Sequence, residues 1–109
     1  MAKYMIQASY TAEARKAFQS KPQDRTVPVK AMVERLEGRI ESLYFSLGDY
    51  DVMLIVDLLD DVSAVAAAIA ACAPGHLSAY KTTKLLTNDE MMAAMEKARG
   101  LSFQAPAAG

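Results

Sequence analysis

The segment from Arg39 to Leu58 constrains the chain most, because two alternating apolar runs meet there at Gly48-Asp49. Leu43, Phe45 and Leu47 recur at every second position before the break, and Tyr50, Val52, Leu54, Val56 and Leu58 do so after it. A period of two marks a strand with one buried face. A hairpin with a two- or four-residue loop puts both sets on the same side of a sheet, and a slip of one residue would turn one set to the wrong face. The register of strands over 39–47 and 50–58 is therefore well specified.

The flanking elements fall into place around this hairpin. Tyr4, Ile6, Ala8 and Tyr10 alternate with Met5, Gln7 and Ser9, which predicts a first strand over 4–10. Thr11 offers an N-cap, with Glu13 in the first helical turn. Ser20 to Asp24 interrupts that helix around Pro22, and helix resumes by about Pro28 with the stripe Val29, Met32, Val33 and Leu36, stopping at Gly38. After the hairpin, Asp60 or Asp61 caps a helix whose stripe is Val62, Val65, Ala66, Ile69 and Ala70. A fourth strand follows over 77–86. Thr87 and Glu90 have the spacing of a capping box for a terminal helix carrying Met91, Met92 and Met95, expected to be packing residues. The order β-α-β-β-α-β is the split βαβ arrangement. Right-handed crossovers then place strand one beside strand three. The expected fold is α+β and ferredoxin-like, a four-stranded antiparallel sheet with helices on one face and an extra C-terminal helix. It forms one domain over 1–99, followed by a tail over 100–109.

With 109 residues, one domain is the natural size. The formal net charge of -1 gives no bulk electrostatic reason to bind nucleic acid or an anionic membrane. The opening Met1-Ala2-Lys3-Tyr4 runs into a strand pattern rather than a secretory signal, and the most apolar run, Val52 to Val56, is far too short to span a bilayer. Cys72 is the only cysteine, which excludes an internal disulfide and suits a reducing cytoplasm. Among the alanines of its helix it reads as a small buried hydrophobe.

Helices on one side leave the other side of the sheet uncovered. That side is expected to carry Met5, Gln7 and Ser9, then Ile40, Ser42, Tyr44 and Ser46, then Asp51, Met53, Ile55 and Asp57. Large apolar groups at its centre favour association. The expectation is a homodimer or higher homo-oligomer with a residual cavity between two sheets.

The stretch Tyr44-Phe45-Ser46-Leu47-Gly48-Asp49-Tyr50-Asp51-Val52-Met53 resembles the signature of the GYD-domain family of small bacterial proteins. Tyr4 to Thr11 and Lys81 to Thr87 resemble that family as well, and the likeness is coherent over about residues 3–90. The resemblance implies a ferredoxin-like fold of the dimeric α/β-barrel type. It implies no activity, cofactor or catalytic residue.

Gly48-Asp49-Tyr50-Asp51 is first of all a turn, since Gly48 can take positive φ and Asp49 suits turns. A functional reading adds that Asp49, Tyr50 or Asp51 rims the intersheet cavity, with Asp51 the best placed by parity. The candidate cavity is lined by Gln7, Ser9, Tyr44, Ser46, Asp51, Met53, Ile55 and, if the fourth strand presents it inward, Tyr80. Such a mixed lining suits a small organic molecule. Asp57 is either a rim carboxylate or, beside an apolar patch, a general base with a raised pKa. His76 is the only histidine and has no second ligand near it in sequence; neither metal nor cofactor is expected. The leading expectation is a binding or assembly module whose cavity lies at the dimer interface. The alternative is a cofactor-independent enzyme, oxygenase- or isomerase-like, acting on a small organic molecule there.

Overall fold

A computed structural model describes residues 1–108. Its elements are β1 (Ala2–Tyr10), α1 (Ala12–Ser20), α2 (Thr26–Arg35), β2 (Arg39–Phe45), β3 (Val52–Leu58), α3 (Asp61–Cys72), β4 (Leu77–Leu85) and α4 (Asn88–Ala98). The four strands form one antiparallel sheet in the order β2-β3-β1-β4. This is the expected ferredoxin-like α+β arrangement, with β1 beside β3.

The caps form where the sequence puts them. Thr11 Oγ1 accepts the Ala14 N–H at 3.1 Å, Asp60 Oδ1 accepts the Ser63 N–H at 2.8 Å, and Thr87 with Glu90 closes a complete capping box. Helix α2 begins two residues before Pro28, which its first turn tolerates because the missing N–H has no intrahelical partner there. The core lies between sheet and helices and is built on Tyr4, Ile6, Val33, Leu54, Val56, Leu58 and Ala64. The Tyr4 hydroxyl donates to Asp61 Oδ1 at 2.5 Å and Lys84 Nζ lies 3.0 Å from the same oxygen, so the start of α3 is tied to two strands.

Several expectations are corrected. Strands β2 and β3 stop short of the loop, which spans Leu47 to Tyr50 and is closed by Ser46 N–H donating to Asp51 O at 2.8 Å. Leu47 therefore points into solvent instead of the core. The β2–β3 register shifts between Ile40 and Ser42, with Ile40 opposite Val56 and Ser42 opposite Ile55. The extra residue, Glu41, turns Ile40 to the helix side, where it packs on the core. Helix α3 buries Ala64 and Ala67, leaving Val62, Val65 and Ile69 exposed. Small alanines let its backbone approach the sheet, so the bulkier stripe faces outward. Cys72 is exposed as well.

Helix α4 departs furthest from expectation. None of its residues is buried, and Met91, Met92 and Met95 face solvent. Among the described residues no hydrogen bond or ion pair joins it to an earlier element. The radius of gyration is 18.1 Å, against about 13 Å for a compact chain of this length. Helix α4 is a projecting arm.

Gly38 serves a different purpose from the one its place after α2 suggests. The left-handed residue at that helix end is Glu37, at φ 58°, and Gly38 N–H donates to Val33 O at 2.9 Å. A Cβ on Gly38 would lie 2.6 Å from Leu58 Cδ2 and 2.7 Å from Asp57 O. Glycine is needed here for close approach of the chain to β3. Gly38→Ala is expected to destabilise by about 1–3 kcal/mol, read as a lower urea midpoint at unchanged m-value.

Candidate functional site

In an antiparallel ladder, residues directly opposite each other share a face. Met5 stands opposite Ile55 and Thr83, Gln7 opposite Met53 and Lys81, and Tyr44 opposite Met53. The open face thus brings together Gln7, Tyr44, Met53 and Ile55 as expected, with Met5 at their centre. Towards the hairpin end it hollows into a recess of about 320 Å³ lined by Gln7, Ser46, Leu47, Gly48, Asp49, Tyr50 and Lys81. Lys81 was not among the expected residues; its register opposite Gln7 puts it there.

The Gly48-Asp49-Tyr50 turn is pinned over the sheet end by side chains. Ser9 Oγ donates to Asp49 O at 3.0 Å, and Ser46 Oγ donates to Tyr50 O at 2.7 Å. Asp51 N–H donates to Ala8 O at 2.9 Å. Its carboxylate accepts from Tyr10 N–H and from Arg15, each at 2.9 Å. The Tyr10 amide, followed by the Arg15 guanidinium, holds the Asp51 carboxyl below its ordinary range. Ser9 and Asp51, expected to line a cavity, are occupied in locking the hairpin to β1 and α1.

Asp57 is similarly committed. Lys3 Nζ lies 3.0 Å from Oδ1 and Arg39 3.2 Å from Oδ2, while Lys3 also reaches Glu41 at 2.9 Å. The hydrogen bond from Lys3 holds the Asp57 carboxyl below its ordinary value, which is the wrong direction for a general base at neutral pH.

Tyr80 is on the other side of the sheet. It stands opposite Ala8, and Thr82 opposite Ile6, so both face the helices and neither joins the open-face group. Tyr80 instead lines a cavity of about 70 Å³ between sheet and helices, with Ile6, Val29, Met32 and Ala71. Its hydroxyl is fully buried, with the Thr82 side chain beside it and no partner at full hydrogen-bond geometry. Burial pushes its pKa up to about 12. The cavity continues into a cleft of about 350 Å³ whose mouth holds Arg25 and His76. Burial, aided by Arg25, lowers the His76 pKa from the usual 6.5. Among the described residues, no group of three or more His, Cys, Asp or Glu could hold a metal ion. The sequence signal for this cleft is weak: Arg25 in the break between two helices and a polar-tipped Tyr at a core-facing position.

A depressed carboxyl stabilises the fold above its ordinary titration range and ceases to do so as pH falls through its lowered value. Asp51→Asn is expected to lower the urea midpoint at pH 7. The gap between wild type and variant should narrow on acidification below about pH 4, where the unfolded chain's Asp51 takes up its proton before the native one, and close below the native group's lowered value.

The profile described as GYD domain matches residues 4–95. No curated protein matches the chain. Among solved structures, the crystal structure of MtbAldR superposes with a TM-score of 0.55 at 17% sequence identity, covering 80% of this chain and 52% of that one. The likeness shows a shared fold, and the chain aligns with about half the length of that protein. With the match running from β1 into α4 and through the pinned Gly48-Asp49-Tyr50 turn, the chain belongs to the GYD domain family.

Proposed function

We propose that this GYD-family chain is a self-associating module of the cytoplasm, in which a second copy covers the open sheet face and a small organic molecule occupies the space left between the sheets. The observation that carries the reading is the contiguous group of Met5, Tyr44, Met53 and Ile55 on a face with no helix over it. Burying each such side chain is worth roughly 1.5–3 kcal/mol. The polar recess at Gln7, Ser46 and Lys81 lies at the edge of that apolar centre and supplies hydrogen-bonding groups for a bound molecule. Among the described residues no helix is long and apolar enough to cross a membrane.

Strands about 4.8 Å apart and roughly seven residues long give a four-strand face of roughly 450 Å² in projection. A standard interface takes about 800 Å² of accessible surface from each partner, and a face covered in side chains presents more accessible area than its outline. The exposed apolar residues of the arm, Met91, Met92, Met95, Leu101 and Phe103, supply further area.

Native mass spectrometry of the full chain tests the reading. Wild type should give a multiple of 11.8 kDa. Ile55→Glu should shift the mass to the single chain and lower the melting temperature, and Met92→Glu/Met95→Glu should weaken the assembly. An Ile55→Glu variant with wild-type mass and melting temperature rejects the face as the interface.

A further inference from the structure

The helix layer leaves a gap, and the gap has the make-up of a binding site. Helix α2 packs on β2, whereas α3 packs on β3 and β4, so the two helices stand over different parts of the sheet. Between them the floor is Ile6, Ala8, Val52, Leu54 and Tyr80. The walls are Val29 and Met32 from α2 and Ala71 from α3. Alanines on the inner side of α3 are too short to fill the space.

Three polar groups are set into this apolar cleft. The guanidinium of Arg25 sits at the mouth, 5.9 Å from the Phe18 ring centroid and 3.3 Å from Gln23 Oε1. Among the described residues no carboxylate lies within ion-pair distance of it. His76 lies beside it, its ring 6.4 Å from that of Tyr10. At the inner end is the buried Tyr80 hydroxyl, which has the Thr82 side chain beside it but no well-formed hydrogen bond. Leaving a buried hydroxyl unpaired costs about 1–3 kcal/mol, so the group is poised for an acceptor or donor that enters from outside.

We propose that the cleft between α2 and α3 binds a small organic acid: its carboxylate on Arg25 at the mouth, its apolar body against Val29, Met32 and Ala71, and an oxygen at its far end on the Tyr80 hydroxyl. The cleft volume of about 350 Å³ is within the range of small-molecule sites, roughly 300–1,000 Å³. The inner cavity of about 70 Å³ admits only the tip of such a molecule. A guanidinium without a carboxylate selects an anion, and its planar fork pairs with both carboxylate oxygens. The site is on the helix side of the sheet, so it goes beyond the interface reading and does not depend on it.

His76 is the only histidine in the chain, and its imidazole signals report on the mouth directly. The full-length protein is titrated with 4-hydroxyphenylacetate and with phenylacetate, following His76 by NMR. Both acids should shift the imidazole saturably and raise its pKa, because the carboxylate neutralises Arg25. The hydroxylated acid should bind about five- to tenfold tighter, the worth of one hydrogen bond to the Tyr80 hydroxyl. Arg25→Gln should weaken both acids about tenfold or more. Tyr80→Phe should abolish the preference for the hydroxylated acid while leaving the melting temperature equal or higher, since it removes an unpaired buried group. Absence of a saturable shift at millimolar acid overturns the proposal, as does binding indifferent to Arg25→Gln. An unchanged preference in Tyr80→Phe does so too, showing a hydroxyl satisfied by water alone. Ile55→Glu separates the two readings: loss of assembly with retained acid binding leaves the cleft standing by itself.

Discussion

The place of β1 between β3 and β4 governs the rest of the structure. Because β1 is paired on both sides, its alternation sets the faces of both neighbours. Tyr4, Ile6 and Ala8 look towards the helices and are buried, while Lys3, Met5, Gln7 and Ser9 look away. Charges lock the two ends of this pairing. Lys3, Asp57 and Arg39 hold one end, and the Tyr10 amide, Asp51 and Arg15 hold the other. The second lock also draws the hairpin and α1 onto the central strand. The family tripeptide therefore sits in a turn whose shape is dictated by Ser9, Ser46 and Asp51 around it.

Much of this was legible in the residues. Alternation over the hairpin predicts the shared face of Leu43, Val52, Leu54 and Val56, and the capping residues Thr11, Asp60 and Thr87 mark three helix starts. What was not legible depends on single-residue offsets and on distances across the fold. The bulge at Glu41 reverses the parity of Ile40, and no local residue type announces it. Asp51 has the parity of an open-face residue, yet an amide and a guanidinium from two other elements capture its carboxylate. Tyr80 could be placed only once the β1–β4 register was known. Helical periodicity gives a stripe for α3, but which side meets the sheet depends on how closely the backbone can approach, and alanine wins that contest over valine and isoleucine.

That orientation of α3 links the two surfaces the protein leaves open. With alanines inward, α3 seats close to β3 and β4 but does not spread sideways towards α2, and the cleft above β1 remains. With Val62, Val65 and Ile69 outward, the same helix presents an apolar ridge to solvent. A rotation of α3 that buried its larger residues would fill the cleft and remove the ridge together. The inward alanines thus account for the cleft and the ridge together.

The arm bears directly on the proposed self-association. A helix of 11 residues with none of them buried is marginal in water, even with a complete capping box. The connection from β4 is Leu86-Thr87, so α4 starts at the end of the sheet where α3 starts. Folded back on its own α3, it would lie parallel, bringing Asp89 and Glu90 beside Asp60 and Asp61 and aligning two like helix dipole ends. Within the proposed assembly, an α4 arriving from another copy is free to run antiparallel. In that orientation the basic end of α4, Lys97 and Arg99, would meet the acidic start of α3 instead of its like end. The charge pattern of the two helices thus disfavours closure of α4 onto α3 within one chain.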